Sequence, residues 1–399
     1  MTRKRRATTA AGLAAAALLA TACGSTPAGG ASHAVPAARL PLATSAGGPN
    51  LPGWAAVEMG GSAAAHENFW ELFTRPVGSA QWKLATPPGV ASNGGLIFAA
   101  AGSGLVTGFG PSQDLRFSPL AAITSPTSPW SENSAPVDPG LASAPYALAA
   151  GPGGKLLALA GTSQVLQLAN AGATWRPLAS LREIASTAPG RACGLTALTA
   201  VAFDASGLPL AAGTCARGGR TGIFRLASGG WQAAGPAALC SPDTAFQLCL
   251  SPAKPPAGPV TVLGMSTIAG RTTALLAAGT GRSAEVAAAW SGAGGAWTVS
   301  APVRTGGGQP RSLSIWAGGG AAIVLAGGHG DEIAGPGARW RALPQLPART
   351  ATLALGPDGQ LEALAAAATS LTVSQLTPAG TAWTPVQEVK VTIPYGSSS

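Results

Sequence analysis

The sequence repeats, and the repeat limits what the chain can fold into. Across residues 54–395 one order recurs: apolar stretch, Gly turn, apolar stretch, loop, third stretch, turn and aromatic. The first hairpin is clearest at Tyr146–Ala150, Gly151-Pro-Gly-Gly154 and Lys155–Leu159. It returns at Leu198–Phe203, Asp204-Ala-Ser-Gly207 and Leu208–Ala212, and at Thr352–Leu355, Gly356-Pro-Asp-Gly359 and Gln360–Leu364. Weaker copies centre on Asn93-Gly94-Gly95, Ala269-Gly270 and Gly318-Gly319-Gly320. Gly, Asn and Asp accept the positive φ of tight hairpins, so each copy reads as an antiparallel strand pair. The unit's second hairpin ends on an aromatic. Trp82-Lys-Leu84, Trp175-Arg-Pro-Leu178 and Trp340-Arg-Ala-Leu343 are close copies, and Trp231, Trp297 and Trp383 follow Gly-containing turns in the same way. Phe117-Ser-Pro-Leu120 fills the slot once, with Trp130 as the alternative.

The aromatics at 82, 117, 175, 231, 297, 340 and 383 lie 35 to 66 residues apart. Four short strands per unit at that period is the signature of an all-β fold, a single β-propeller. Seven blades are expected, with six or eight as alternatives; a Gly-rich sandwich or solenoid is the competing fold. Stacking blades buries faces that each alone would expose, and small residues suit crowded inner strands. This explains a composition that otherwise misleads: 56 Gly, 34 Pro, 46% hydrophobic and only 10% charged residues. After residue 22 no apolar run reaches the ~18 residues of a membrane helix, and eleven Trp argue against disorder.

The N-terminus has a different organisation. Arg3, Lys4, Arg5 and Arg6 precede an apolar stretch from Ala7 to Ala22, as in an export signal. Leu19-Ala20-Thr21-Ala22-Cys23-Gly24-Ser25 resembles the lipobox of bacterial lipoproteins, with Ala20 where Leu is commonest. That resemblance implies cleavage before Cys23, its diacylglycerylation, and a lipid anchor on the extracytoplasmic side of the cell membrane. Thr8 and Thr9 replace the apolar residues expected after a twin-arginine pair, so the export route stays open. Residues 1–22 are thus the signal, 23–50 an Ala/Pro/Gly/Ser-rich tether, and 51–399 the propeller domain. Removing four of the 24 basic residues leaves 20 against 15 acids, so the formal +9 becomes about +5. No Lys/Arg-rich run remains, and nucleic acid is not an expected partner.

Leu168-Ala-Asn170-Ala-Gly172-Ala-Thr174-Trp175 resembles the Asp-box, or BNR, motif of sialidase-like propellers, written S-x-D-x-G-x-T-W. Asn170, Gly172, Thr174 and Trp175 match in place and Leu168 stands in the Ser slot. Only this copy is close. The resemblance implies a structural turn between third and fourth strands, so these four residues carry structural roles.

Strand alternation puts the first-to-second and third-to-fourth turns at one face, where they are tight and Gly-rich. The second-to-third and inter-blade loops form the other face, with insertions at about 121–144, 179–196, 234–259 and 301–311. Propellers resembling this one bind ligands on that second face. Its candidate ligand residues are Arg182, Arg217, Arg220, Arg282, His329, Asp331, Glu332 and Arg349. Tyr146 and Arg311 would begin inner strands near the axis. His329, Asp331 and Glu332 read as one polar surface-loop cluster. The four Cys beyond Cys23 fall on the same face, and an exported chain with an even count favours two disulfides. Of three pairings, Cys193–Cys215 with Cys240–Cys249 is the expected one, because hairpin reflection sets the first two nearly opposite. No Cys-x-x-Cys occurs and His is scattered, so no metal or other cofactor is expected.

The function this supports is a membrane-tethered binding protein, expected to be monomeric, presenting its loop-rich face to a protein or glycan ligand. The alternatives are a sialidase-type hydrolase and a rigid docking scaffold, like the photosystem-assembly factors with similar repeats. Sialidase chemistry needs an arginine trio and a late Tyr paired with a Glu. Here Tyr146 stands too early, Tyr395 lies at the C-terminus, and Phe73-Thr-Arg75-Pro76 only loosely resembles that family's N-terminal motif. No Gly-x-Ser-x-Gly elbow is present either. Catalysis is therefore not expected, and no catalytic residue is assigned.

Overall fold

A computed structural model describes residues 43–48, 50–60, 68–86, 96–101, 104–109, 120–123, 135–136, 141, 145–170, 173–217, 220–236, 258–279, 282, 284–308 and 310–391. Of the chain's two units, Met1–His33 lies outside these residues, and every described sheet belongs to Ala34–Ser399. The signal, Cys23, Phe117, Trp130, Gly172, Cys240, Cys249 and Tyr395 also lie outside the described residues.

Four-stranded antiparallel meanders follow one another along this unit. The first is β1 (Ala43–Gly48), β2 (Leu51–Gly60), β3 (Asn68–Arg75) and β4 (Lys83–Leu84). Next come β5 (Leu96–Ala101), β6 (Gly104–Phe109), β7 (Leu120–Ile123) and β8 (Ala135–Pro136). The third holds β9 (Ala147–Ala150), β10 (Leu156–Ala160), β11 (Gln164–Leu168) and β12 (Arg176–Ser180). Two short helices, α1 (Leu181–Ser186) and α2 (Ala188–Cys193), lead into β13 (Leu195–Phe203), β14 (Pro209–Cys215), β15 (Gly222–Ala227) and β16 (Gly230–Ala233). The fifth is β17 (Val260–Ile268), β18 (Arg271–Ala278), β19 (Glu285–Ser291) and β20 (Trp297–Val299), with β21 (Val303–Arg304) also pairing with β19. Then come β22 (Pro310–Ile315), β23 (Ala321–Leu325), β24 (His329–Ile333) and β25 (Arg341–Ala342), and last β26 (Thr350–Leu355), β27 (Leu361–Ala366), β28 (Ser370–Leu376) and β29 (Trp383–Lys390). The fold is all-β, and its sheets resemble propeller blades.

First strands contact the inner strands of neighbouring meanders. β2 meets β5, β5 meets β9, β9 meets β13, β13 meets β17, β17 meets β22, β22 meets β26, and β26 meets β1 and β2. These crowded strands are rich in Ala and Leu, and Ala200, Val201, Ala202, Leu353 and Ala354 are buried. Small side chains permit that close approach while still removing apolar surface from water. Among the described residues, two backbone ladders also cross between meanders. β14 pairs antiparallel with β17 through Thr214–Thr261 and Cys215–Val260, and β1 pairs parallel with β22 from Ala43–Ser312 to Ser45–Ser314. β1 lies inside the stretch expected to be tether. Its ladder to both β2 and β22 satisfies backbone groups that composition alone left to solvent.

The turn chemistry follows the sequence. Gly151 N–H donates to the Lys155 carbonyl, Asp204 N–H to Leu208, and Gly356 N–H to Gln360, at 2.8, 2.8 and 2.7 Å. Gly207 and Gly359 both sit at φ +80°, where a Cβ is strained. The aromatics join one meander to the one before it. The Trp383 indole N–H donates to the Pro344 carbonyl at 3.4 Å, Trp340 to Ser300 Oγ at 3.1 Å, and Trp82 to Glu362 at 2.9 Å. Trp231 and Trp297 likewise pack on clusters that include the preceding meander.

Trp82 belongs to the first described meander and Glu362 to the last, so this bond joins those two meanders. Arg75 sits at the same place. Its Nη1 bonds Glu362 Oε2 at 2.8 Å, its Nη2 bonds the Leu355 carbonyl at 2.6 Å, and its guanidinium lies 5.3 Å from the Trp82 ring centre. The two charged side chains are 1% and 3% exposed. Gln387 completes the seam, accepting from Trp82 N–H at 2.8 Å and donating to the Trp82 carbonyl at 2.7 Å. Gly53 leaves room for the indole, since a Cβ there would stand 3.0 Å from Trp82 Cη2.

Candidate functional site

The loop-rich end is built around the α1–α2 hairpin. These helices depart from an all-β expectation, although their signals are in the sequence. Ser180 Oγ accepts from Glu183 N–H at 3.2 Å and Ser180 N–H donates to Glu183 Oε2 at 2.6 Å, a reciprocal capping box. Those bonds, the backbone one first, hold the Glu183 carboxyl below its usual range. Thr187 Oγ1 caps α2 at Gly190 N–H at 3.1 Å, and α2 ends on left-handed Gly194. Ile184 is buried beneath the hairpin.

One of the two expected disulfides is described, Cys193–Cys215, with Cα atoms 4.9 Å apart. It ties the last residue of α2 to the last of β14. Arg217 N–H donates to the Cys193 carbonyl at 3.1 Å and Ala216 N–H to Gly194 at 3.0 Å, so the segment carrying Arg217 lies on the helix end.

Arg182, Arg217, Arg220, Arg282, Arg311 and Arg349 are all exposed. Arg349, at φ +63°, donates to the Gly60 carbonyl at 3.2 Å. None of the six forms an ion pair among the described residues. The acids, by contrast, are largely committed. Glu362 holds Arg75, Glu285 lies 3.6 Å from Arg304, Glu332 pairs with Arg341, and Glu183 caps α1. Asp204 and Asp358 cap first-to-second turns. Among the described residues these six arginines therefore outnumber the acids left without an ion pair, cap or hydrogen bond, of which Glu388 is exposed.

His329, Asp331 and Glu332 are not a loop cluster. They stand on β24, where side chains alternate between faces. His329 is exposed, while Asp331 is 8% exposed with its carboxyl raised by burial against the pull of His329. Glu332 faces the other way, accepting from Arg341 Nε at 2.6 Å. Tyr146 is half-buried just before β9, and its N–H donates to the Leu159 carbonyl at 2.6 Å. Tyr146 thus leads into β9, which neighbours β5 and β13, whereas Arg311 lies on β22 and Arg349 before β26. Arg75, in the stretch that loosely resembles the sialidase N-terminal motif, is paired with Glu362 and closed to solvent.

At the Asp-box-like turn the Ala173 N–H donates to the Asn170 carbonyl at 3.1 Å. Asn170 and Thr174 are exposed and Trp175 is half-buried. Carboxylate capping occurs instead at the first-to-second turns. Asp204 Oδ1 accepts from Ser206 N–H at 2.9 Å, Ser206 Oγ at 2.6 Å and Leu208 N–H at 2.9 Å. Among the described residues no group of His, Cys, Asp and Glu could hold a metal ion, and no helix is long and apolar enough to cross a membrane.

The class these observations define is an all-β repeat protein with blade-like sheets and a loop-rich, arginine-bearing end. No family model matches the sequence. No curated protein sequence matches it either. Among solved structures it is distantly similar to YCF48 bound to D1 peptide, at 14% identity and TM-score 0.43, covering 82% of this chain and 90% of that one. It is likewise similar to YCF48 from Cyanidioschyzon merolae, at 13% identity and TM-score 0.42, covering 86% and 94% of the two chains. RRP9 WD40 repeats match at 10% identity and TM-score 0.40, over 74% and 80%.

Proposed function

We propose that the chain is an exported, lipid-anchored binding protein: a closed seven-bladed propeller, acylated at Cys23, that docks an acidic surface of a protein partner on its loop-rich face. The observation that carries this reading is the charge imbalance at that end. Among the described residues, arginines 182, 217, 220, 282, 311 and 349 have no acid partner, while most of the described acids are engaged in ion pairs, caps or other hydrogen bonds. Complementary charge across an interface raises encounter rates and selects partners. The disulfide-fastened α1–α2 hairpin supports docking rather than catalysis, because it holds its neighbouring arginines on a rigid mount. The cyclic succession of first-strand neighbours supports seven blades, and the lipobox-like segment supports the anchor.

Photo-crosslinking on intact cells tests the reading. The wild-type chain should give a defined crosslinked partner that a triple Arg182→Glu, Arg217→Glu, Arg220→Glu variant loses and a Lys155→Glu control, at the tight-turn end, keeps. Cys23→Ser should move the protein from the membrane to the soluble fraction. Unchanged crosslinks in the triple variant would remove the docking face, and membrane retention of Cys23→Ser would remove the anchor.

A further inference from the structure

A cleft of about 450 Å³ opens between the fourth and fifth meanders, at the tight-turn end and away from the docking face proposed above. Asp204 and Ser206 of the β13–β14 turn and Arg225 of β15 form one wall, and Ser291 and Trp297 form the other. Thr272 also lines it. The volume is that of a small-molecule site.

Its polar groups are unevenly spent. Thr272 Oγ1 shares a hydrogen bond with Thr267 Oγ1 at 2.8 Å, and Ser291 Oγ donates to the Gly292 carbonyl at 3.4 Å. Asp204 Oδ1 already takes the three donors of its own turn. The Arg225 side chain makes no hydrogen bond among the described residues: its Nε is buried without a partner, and its Nη1 makes only a long ion pair with Asp204 Oδ2, 3.7 Å away and beyond hydrogen-bond range. Its side chain is 38% exposed, so the terminal nitrogens can be reached.

The repeat supplies an internal control. Gln375 of β28 precedes Leu376 as Arg225 precedes Leu226, and each first turn has an acid, Asp204 at its first position and Asp358 at its third, that accepts from the N–H after the turn glycine. There Gln375 Nε2 closes on Asp358 Oδ2 at 2.9 Å. Gln167 precedes Leu168 in β11 in the same way. The fourth meander has an arginine at this position, and it reaches its turn acid only as a 3.7 Å ion pair, without a hydrogen bond.

We infer that this cleft binds a small organic carboxylate carrying a ring or branched aliphatic body, with Arg225 gripping the carboxylate and Trp297 receiving the apolar part. The guanidinium is a planar fork of donors that matches a carboxylate in two parallel bonds. The site's surplus is in donors, which an acceptor-only group absorbs. Half-buried Trp297 offers the apolar surface beside it.

Ligand titration by NMR, with N-acetylphenylalanine and its neutral amide as probes, tests this on the folded protein. The acid should bind at least about tenfold more tightly than the amide, as expected when a charge-assisted pair is lost. Its resonance changes should include the Trp297 indole N–H, assigned through Trp297→Phe. Arg225→Gln installs the residue the repeat tolerates at 167 and 375, and it should abolish the preference for the acid. Equal binding of acid and amide, no binding of either in the millimolar range, shifts confined to other tryptophans, or an acid preference that survives Arg225→Gln would each overturn the assignment. The acid–amide comparison needs only the wild-type chain, so it decides the matter even if Arg225→Gln fails to fold.

Discussion

Replacing Arg75 with Met would leave the Glu362 carboxylate buried without its cation, and this probes how the first and last meanders are joined. Both side chains are almost fully enclosed, and the pair is separated by 287 residues in sequence. Burial outweighs the Arg75 charge and pushes the Glu362 carboxyl above its usual range, so the ion is costly even when paired. Removing one partner of such a pair typically costs about 3–5 kcal/mol, whereas replacing both by apolar groups is often near neutral. Arg75→Met also forfeits the Leu355 carbonyl bond, and Glu362→Met leaves the Trp82 indole N–H without an acceptor, at about 1–3 kcal/mol. Each single variant should therefore lose about 3–5 kcal/mol in urea unfolding, and the double variant should fall short of the sum by at least about 2 kcal/mol. The Arg75→Met deficit should be larger at pH 8 than at pH 5, because a carboxyl with a raised folded pKa destabilises progressively as it ionises. Additivity within about 0.5 kcal/mol would refute the reasoning and show that the seam does not depend on this pair.

Two further outcomes rest on buried groups. Glu71, 6% exposed with Oε2 unpartnered, has its carboxyl pushed up to about 7, chiefly by burial and against a hydrogen bond from Thr86. The folded state keeps the proton that the unfolded chain releases above the ordinary value, so stability falls as pH rises through 7. Glu71→Gln should then gain about 2–3 kcal/mol at pH 8 and much less at pH 5, read from paired urea melts; an equal effect at both would contradict it. Removing the Cys193–Cys215 bond with a double Ser variant should cost about 3 kcal/mol for a loop of this size, read from the denaturant midpoint of the oxidised protein.

What is legible in the sequence is local. Gly151–Gly154, Asp204–Gly207 and Gly356–Gly359 are turn signals complete within four residues, and hairpins stand at all three. The pairing of Cys193 with Cys215 comes from reflecting one hairpin. The tether boundary does not, because Ala43–Gly48 reads as linker until β22 supplies a ladder from more than 250 residues away. The α1–α2 hairpin is missed for another reason: residues 179–196 read as a loop insertion between blades, although Ser180, Thr187 and Gly194 carry its caps. His329, Asp331 and Glu332 look like one cluster because adjacency in sequence hides strand alternation. Arg225 gives little signal on its own. It becomes distinctive only beside Gln375, once the turn acids Asp204 and Asp358 are compared in space.

The parallel ladder between β1 and β22 and the Arg75–Trp82–Glu362 seam together set a timetable. The first meander is synthesised before the later strands that pack on it exist. β22 emerges more than 250 residues after β1, and Glu362 comes later still. Contacts of such sequence separation form late and slowly, so the N-terminal strands wait with apolar faces uncovered. For this chain the hazardous interval is the time between the arrival of its first meander and its last. A chaperone acting on the first meander during that interval would govern yield without leaving a trace in the finished fold.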